Sequence, residues 1–183
     1  MSSEESTEID INIKVNNIHC TFNVRCLLNI EDIMERGVNV ELRKSRDSVT
    51  MQLREPPATA TIWSNGKITC TGPRSEIDAR IACRRIARIL QNLGYPVRFR
   101  SFKIHNCYAT VKLPFPIKTI DFSKAHPEAS YEPELHIGVI YKVESFKATV
   151  TIHRTGNMTI FAPSEEKIKQ AVEYVAPLFS GTF

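Results

Sequence analysis

ATATIWSNGKITCTG, residues 58–72, alternates apolar side chains with threonines on either side of a turn. Ala60, Ile62, Ile68 and Cys70 fall on every second position, Thr59, Thr61, Thr69 and Thr71 lie between them, and Ser64, Asn65 and Gly66 form the break. Period-two alternation around an Asn-Gly turn predicts a β-hairpin with one apolar and one polar face. The chain writes the same thing again at KATVTIHRTGNMTIFA, residues 147–162, with Val150, Ile152, Met158 and Ile160 against Thr149, Thr151 and Thr159 around Arg154-Thr155-Gly156. Gly66 and Gly156 stand 156 − 66 = 90 positions apart. VNNIHCTF (15–22) matches IHNCYATV (104–111), setting Asn17 against Asn106 at 106 − 17 = 89, and SEIDARIA (75–82) matches SEEKIKQA (164–171) at 164 − 75 = 89. Three matched blocks in one order predict a tandem duplication.

Each half of a 183-residue chain is near the size at which a core is marginal alone, so the halves are expected to share one continuous sheet. The reading is an acidic tail without structure over 1–10, a first repeat over 11–100 and a second over 101–183. The hydrophobic content of 42% supports a packed core, and no apolar run approaches the roughly 18 residues of a membrane span. The polar, acidic start MSSEESTEID does not resemble a signal peptide. Five cysteines, Cys20, Cys26, Cys70, Cys83 and Cys107, without C-x-x-C spacing argue against disulfides and zinc, and imply a reducing compartment. No cofactor and no metal are expected, and with no phosphate-cradling glycine loop or nucleophile motif the chain does not read as an enzyme.

Charge separates the two repeats. Residues 11–100 carry 15 bases and 8 acids, 15 − 8 = +7, while residues 101–183 carry 9 and 8, 9 − 8 = +1. The excess gathers on a helix predicted from about Ser75 to Leu93, with Ser75 as N-cap and Gly94 as C-cap. There Arg80, Arg84 and Arg88 recur every fourth residue beside Arg85. Such a stripe is either a solvated face or a docking site for an acidic partner.

A sheet covered by helices on one side leaves the other open. That open face is expected to carry Ser48, Thr50, Gln52, Thr59, Thr61, Trp63, Thr69 and Thr71 from the first copy. The second copy adds Thr149, Thr151, His153 and Thr159. Threonine has high strand propensity, so such a row is also what an ordinary exposed strand would show.

The strings RRIARILQNLGY and SYEPELHIGVIY, a strand ending in REP and a hairpin reading SNGK then TG resemble the TATA-box-binding protein family over residues 11 to 180. Within it the chain is most similar to the TBP-like or TBP-related factors. The resemblance implies an α+β fold: a pseudo-twofold saddle of two tandem repeats, one continuous curved antiparallel sheet with helices on the convex face. It implies a concave surface facing the minor groove of double-stranded DNA, where paired phenylalanine wedges kink the duplex. Those four positions fall on Arg46, Trp63, His136 and His153, none of them Phe, which leaves Trp63 as the one credible wedge, and the apolar floor contacts fall on Thr61, Thr69, Thr151 and Thr159. Asn17 and Asn106 retain the central asparagine pair, with Thr71, Lys67 and Lys142 on the same surface. The expectation is weak TATA binding or binding of non-TATA duplex. For protein partners the resemblance implies a stirrup of Tyr131, Glu132, Pro133, Glu134 and Leu135 for transcription factor IIB, and a helix face of Arg80, Arg84 and Arg85 for transcription factor IIA. Function follows as nucleation or modulation of RNA polymerase II preinitiation complexes in the nucleus. The alternative is a scaffold that competes for factors IIA and IIB without touching DNA.

Overall fold

The computed structural model describes residues 11–43 and 47–179. The first repeat runs β1 (Ile13–Asn23), α1 (Ile30–Arg36), β2 (Val40–Leu42), β3 (Ser48–Leu53), β4 (Ala58–Trp63), β5 (Lys67–Thr71) and α2 (Glu76–Asn92). The second runs β6 (Arg100–Lys112), α3 (Thr119–Ala125), β7 (Val139–Val143), β8 (Ala148–Ile152), β9 (Asn157–Ala162) and α4 (Glu165–Val175). These strands form one antiparallel sheet in the order β2-β3-β4-β5-β1-β6-β9-β8-β7. The long strands β1 and β6 meet at its centre, and each repeat fans outward from them, so the sheet is continuous across the junction. Among the described residues no helix is long and apolar enough to cross a membrane.

Both hairpins close as their sequences dictate. Gly66 and Gly156 adopt φ of +86° and +85°, and their N–H groups donate to the carbonyls of Trp63 and His153 at 3.0 Å each. Only glycine takes that conformation without strain. A Cβ at Gly66 would also stand 2.5 Å from the Cys26 carbonyl oxygen, because the turn packs directly beneath the chain leaving β1.

The central pairing is not a uniform ladder. Register slips occur between Val15 and Asn17, between His19 and Cys20, and between Thr21 and Asn23. An unpaired residue bends its strand and raises the local twist. Asn16 is extra on β1 and His105 on β6, at 105 − 16 = 89, so these two bulges are equivalents, and the third slip leaves one further residue on β6 between Lys103 and Arg100.

The helices cover one side. Ser75 and Ser164 cap α2 and α4, accepting from the backbone N–H groups of Asp78 and Lys167 at 3.0 and 3.2 Å. On α2 the residues Ala79, Ala82, Cys83, Ile86, Ala87 and Leu90 are buried, and on α4 Ile168, Ala171, Val172 and Val175. They pack on the inward row of the sheet, from Ile18, Cys20 and Phe22 to Ile62, Ile68, Val150 and Ile160. Burying such a side chain stabilises the fold by about 2 kcal/mol. The helices therefore lie on the convex side and leave the concave face uncovered. Ser48 departs from the sequence expectation. Placed on the open face by strand parity, it is buried, directly across the ladder from Trp63, the bulkiest side chain of the hairpin.

Candidate nucleic-acid interface

The polar rows of the two hairpins form ladders across the concave face. Thr50 pairs with Thr61, Thr61 with Thr69, Thr69 with Thr21, and Thr21 with Lys103. On the other side Ile140 pairs with Thr151, Thr151 with Thr159, Thr159 with Thr110, and Thr110 with Lys14. The first arm thus runs through threonines from its edge, the second through threonines after Ile140, and each ends at a lysine near the centre. Two side-chain bonds fasten the arms: Asn16 Nδ2 donates to Thr110 Oγ1 at 2.9 Å, and Thr21 Oγ1 meets His105 Nε2 at 2.8 Å.

Asn17 and Asn106 are exposed near the axis of the saddle. Asn17 Oδ1 accepts the Gly72 N–H at 2.6 Å. What Asn17 offers outward is then its amide N–H2, the donor that minor-groove acceptors on adenine and thymine require. His19 and His105 lie beside this pair, ring centroids 5.6 Å apart. Burial and then the charges of His19, Lys103 and Lys67 hold the His105 imidazole below its ordinary pKa. Lys67, Thr71 and Lys142 alternate with buried neighbours and share the concave side. On the second repeat alone, Tyr108 and Phe161 form an aromatic pair at 4.8 Å, with Phe161 49% exposed.

Of the four expected wedge positions, three are described. Trp63 and His153 end β4 and follow β8, both half-buried at their hairpin turns, and His136 is exposed. Two residues after His136, the Gly138 backbone lies so close to β8 that a Cβ would meet the Ile152 carbonyl and the His153 ring. Arg46 lies outside the described residues. Beside His136, Ile137 is 90% exposed and Leu135 72% exposed.

The segment before His136 is a tight turn, with the Leu135 and His136 N–H groups both donating to the Glu132 carbonyl at 2.9 and 2.8 Å. It projects Glu132, Pro133, Glu134 and Leu135 into solvent. Tyr131 differs from the other four. It is partly buried, and its hydroxyl accepts from Thr119 Oγ1 at 3.3 Å, anchoring the turn to α3.

On α2 the arginines divide. Arg80 lies over the Phe102 ring at 4.5 Å and Arg84 over the Phe99 ring at 5.8 Å, so both point to the start of β6. Arg85 points the other way and donates to the Glu55 carbonyl. The three residues grouped from sequence therefore occupy two flanks of the helix.

Sequence reasoning missed Lys14, Asn16, His19, Thr21, Lys103, His105, Tyr108, Thr110 and Phe161 on the concave face. The signal was available: once β1 and β6 are placed as central strands, these residues fall on the rows that continue the threonine ladders. The two bulges, which invert parity along β1 and β6, obscure it for Lys14, Asn16, Lys103 and His105, whereas His19 and Thr21 share the parity of Asn17, Tyr108 and Thr110 that of Asn106, and Phe161 that of Thr159.

A family model described as transcription factor TFIID, or TATA-binding protein, matches residues 12–93 and again 101–181. The chain is 43% identical over 176 residues to TATA box-binding protein-like 1 of Danio rerio, covering 96% of this chain and 95% of that protein. It is 38% identical over 169 residues to the TBP-related factor of Drosophila melanogaster, covering 91% of this chain and 75% of the relative. The fold superposes on TBP of Methanococcus jannaschii with a TM-score of 0.79 at 25% identity, over 92% of this chain and 98% of the other.

Proposed function

We propose, from the premise that this chain belongs to the TATA-binding protein family and has that family's role as a transcription factor, that it nucleates or modulates RNA polymerase II preinitiation complexes in the nucleus. It does so by binding factors IIA and IIB while gripping TATA DNA weakly or not at all. One observation carries the reading, the threonine ladders laid across the concave face; His136 and His153 at the positions where the resemblance expects apolar wedges support it. Prising a base step apart costs a few kcal/mol, which a dry apolar ring offsets and a hydrated imidazole does not. Asn17, Asn106, Lys14, Lys67, Lys103 and Lys142 supply donors and positive charge to a duplex without that penalty. No residue is assigned a catalytic role.

The protein contacts fall outside the concave face. Glu132 and Glu134 on the exposed turn suit a basic surface of factor IIB, with Tyr131 acting as the anchor of that turn. Arg80 and Arg84, held against aromatic rings, suit an acidic surface of factor IIA. The test is a gel-shift comparison of TATA and non-TATA duplexes with and without factor IIA. The reading expects no preference for TATA and a complex strengthened by factor IIA; tight, sharply TATA-selective binding by the protein alone overturns it.

The polar wedge positions combined with the acidic turn also support a second reading, a scaffold that competes for factors IIA and IIB and leaves DNA alone. A salt titration separates the two. Phosphate contacts make log affinity fall linearly with log salt, with a slope set by their number. A scaffold gives no measurable duplex affinity at any salt concentration.

A further inference from the structure

Three of the five cysteines converge beneath the first repeat. Cys20 on β1 is the direct cross-strand partner of Cys70 on β5, and Cys83 comes down on them from α2. All three are fully buried. The Cys20 and Cys83 sulfurs are 3.5 Å apart, and all three sulfurs lie within 4.8 Å of one another. The spacing of the cysteines in sequence gave no sign of this, because the three come from three elements.

The second repeat provides an internal control. Its equivalents are Ala109 (109 − 20 = 89), Ile160 (160 − 70 = 90) and Val172 (172 − 83 = 89). Ala109 pairs with Ile160 as Cys20 pairs with Cys70, and Val172 is buried beneath α4 as Cys83 is beneath α2. The same junction of two strands and a helix is thus filled by ordinary apolar side chains in one copy and by three thiols in the other. Packing alone does not require sulfur there.

We propose that Cys20, Cys70 and Cys83 form a three-sulfur site for a soft, thiophilic metal ion, Cu(I) being the best match. Three sulfurs mutually within 4.8 Å surround a point at most about 2.8 Å from each, and small contractions bring this to the ~2.3 Å of a metal–thiolate bond. Soft sulfur ligands select Cu(I) and Zn(II). Structural zinc takes four ligands, and among the described residues the group holds three, with no fourth His, Cys, Asp or Glu. All three thiols are also shut off from bulk solvent. Each thiol that binds gives up its proton to solvent as the sulfur–metal bond forms, with no change in oxidation state. A bound ion would tie α2, and with it the arginine face, to the two strands below.

The test is anaerobic competition with the Cu(I) complex of bathocuproine disulfonate under excess ascorbate. The wild-type chain is expected to withdraw one equivalent of copper and to unfold at a higher temperature with it, since a ligand of the native state stabilises that state. Cys83→Val, which copies the residue the second repeat uses, should fold, withdraw none and show no copper-dependent shift. Cys26→Ser and Cys107→Ala remove the other two cysteines and should leave uptake unchanged. Failure of the wild type to withdraw copper overturns the proposal, as does equal uptake by folded Cys83→Val. A fall in unfolding temperature with copper overturns it too, since that marks capture by thiols of the unfolded chain.

Discussion

Glu76 and Glu165 cap each other's helices. Glu165 Oε1 accepts the Glu76 N–H at 2.5 Å, and Glu76 Oε1 accepts the Glu165 N–H at 2.9 Å. The residues are 165 − 76 = 89 positions apart, each the first residue of its helix, so the bonds form a reciprocal pair about the pseudo-twofold axis. Helix N-termini leave backbone N–H groups unpaired, and here each repeat supplies an acceptor the other lacks. Alanine at either position should cost about 1 kcal/mol. The two single losses should be similar, and a double-mutant cycle by urea denaturation should show coupling between them. Fully additive losses would mean that the two caps between the repeats act independently of one another.

TATA binding should be weak and nearly straight. With Trp63 the one aromatic ring among the four wedge positions able to act as a dry wedge, affinity for a TATA duplex should lie at least ~10-fold below that of relatives bearing the phenylalanines. Fluorescence transfer between duplex ends should report a small bend. Phenylalanine at Arg46, Trp63, His136 and His153 together should recover part of both. A sharp bend by the unaltered protein contradicts the assignment of these positions.

DNA binding should strengthen on acidification through His105. Its pKa is lowered in the free protein by burial and by His19, Lys103 and Lys67. A histidine depressed below its unfolded value adds stability above that value, and the contribution is lost as pH falls toward the folded pKa. A duplex in the saddle brings negative potential and favours the imidazolium, so binding takes up a proton. Affinity measured between about pH 8 and pH 5.5 should therefore rise as pH falls. His105→Gln should flatten that rise, and an unaltered profile would remove His105 from the interface.

Charge reversal on the acidic turn should abolish the factor IIB complex. Glu132→Arg with Glu134→Arg sets like charges against a basic partner and leaves the fold intact, because both side chains are exposed on a turn held by backbone bonds. Pull-down with circular dichroism as the folding check decides it. Tyr131→Phe should cost far less, since its hydroxyl bonds Thr119 within the molecule.

Association with factor IIA should slow when Arg80, Arg84 and Arg85 become Glu together, and its salt dependence should flatten. Because Arg85 lies on the other flank, Arg80→Glu with Arg84→Glu should reproduce most of the effect and Arg85→Glu little. Lys167→Glu with Lys169→Glu on α4 should change little. Stopped-flow rates across a salt series would settle it, and equal slowing by both sets would point to net charge instead of a site.

Local chemistry wrote much of this fold into the sequence. Alternation around Asn65-Gly66 and Thr155-Gly156 dictates two hairpins, because a period of two fits only a pleated strand and a positive φ at the turn calls for glycine. Ser75 and Ser164 mark helix starts for an equally local reason, and the 89-residue period makes each element predictable from its twin. Thr61, Thr69, Thr151 and Thr159 could be placed on the open face by parity alone.

Tertiary structure decided what depends on residues distant in sequence. The bulges at Asn16 and His105 arise from pairing β1 with β6, and parity fails across them, which hid Lys14, Asn16, Lys103 and His105 from a reading by alternation. Ser48 has the parity of an exposed residue and is buried, since burial depends on what stands across the ladder. Arg85 parts from Arg80 and Arg84 because helix phase and the position of Glu55 set its direction, not its neighbours in the chain. The Cys20, Cys70 and Cys83 cluster and the exchange of caps between Glu76 and Glu165 exist only once two strands and two helices are packed. Periodicity records which way a side chain faces within its own element; which groups it meets is fixed by long-range packing.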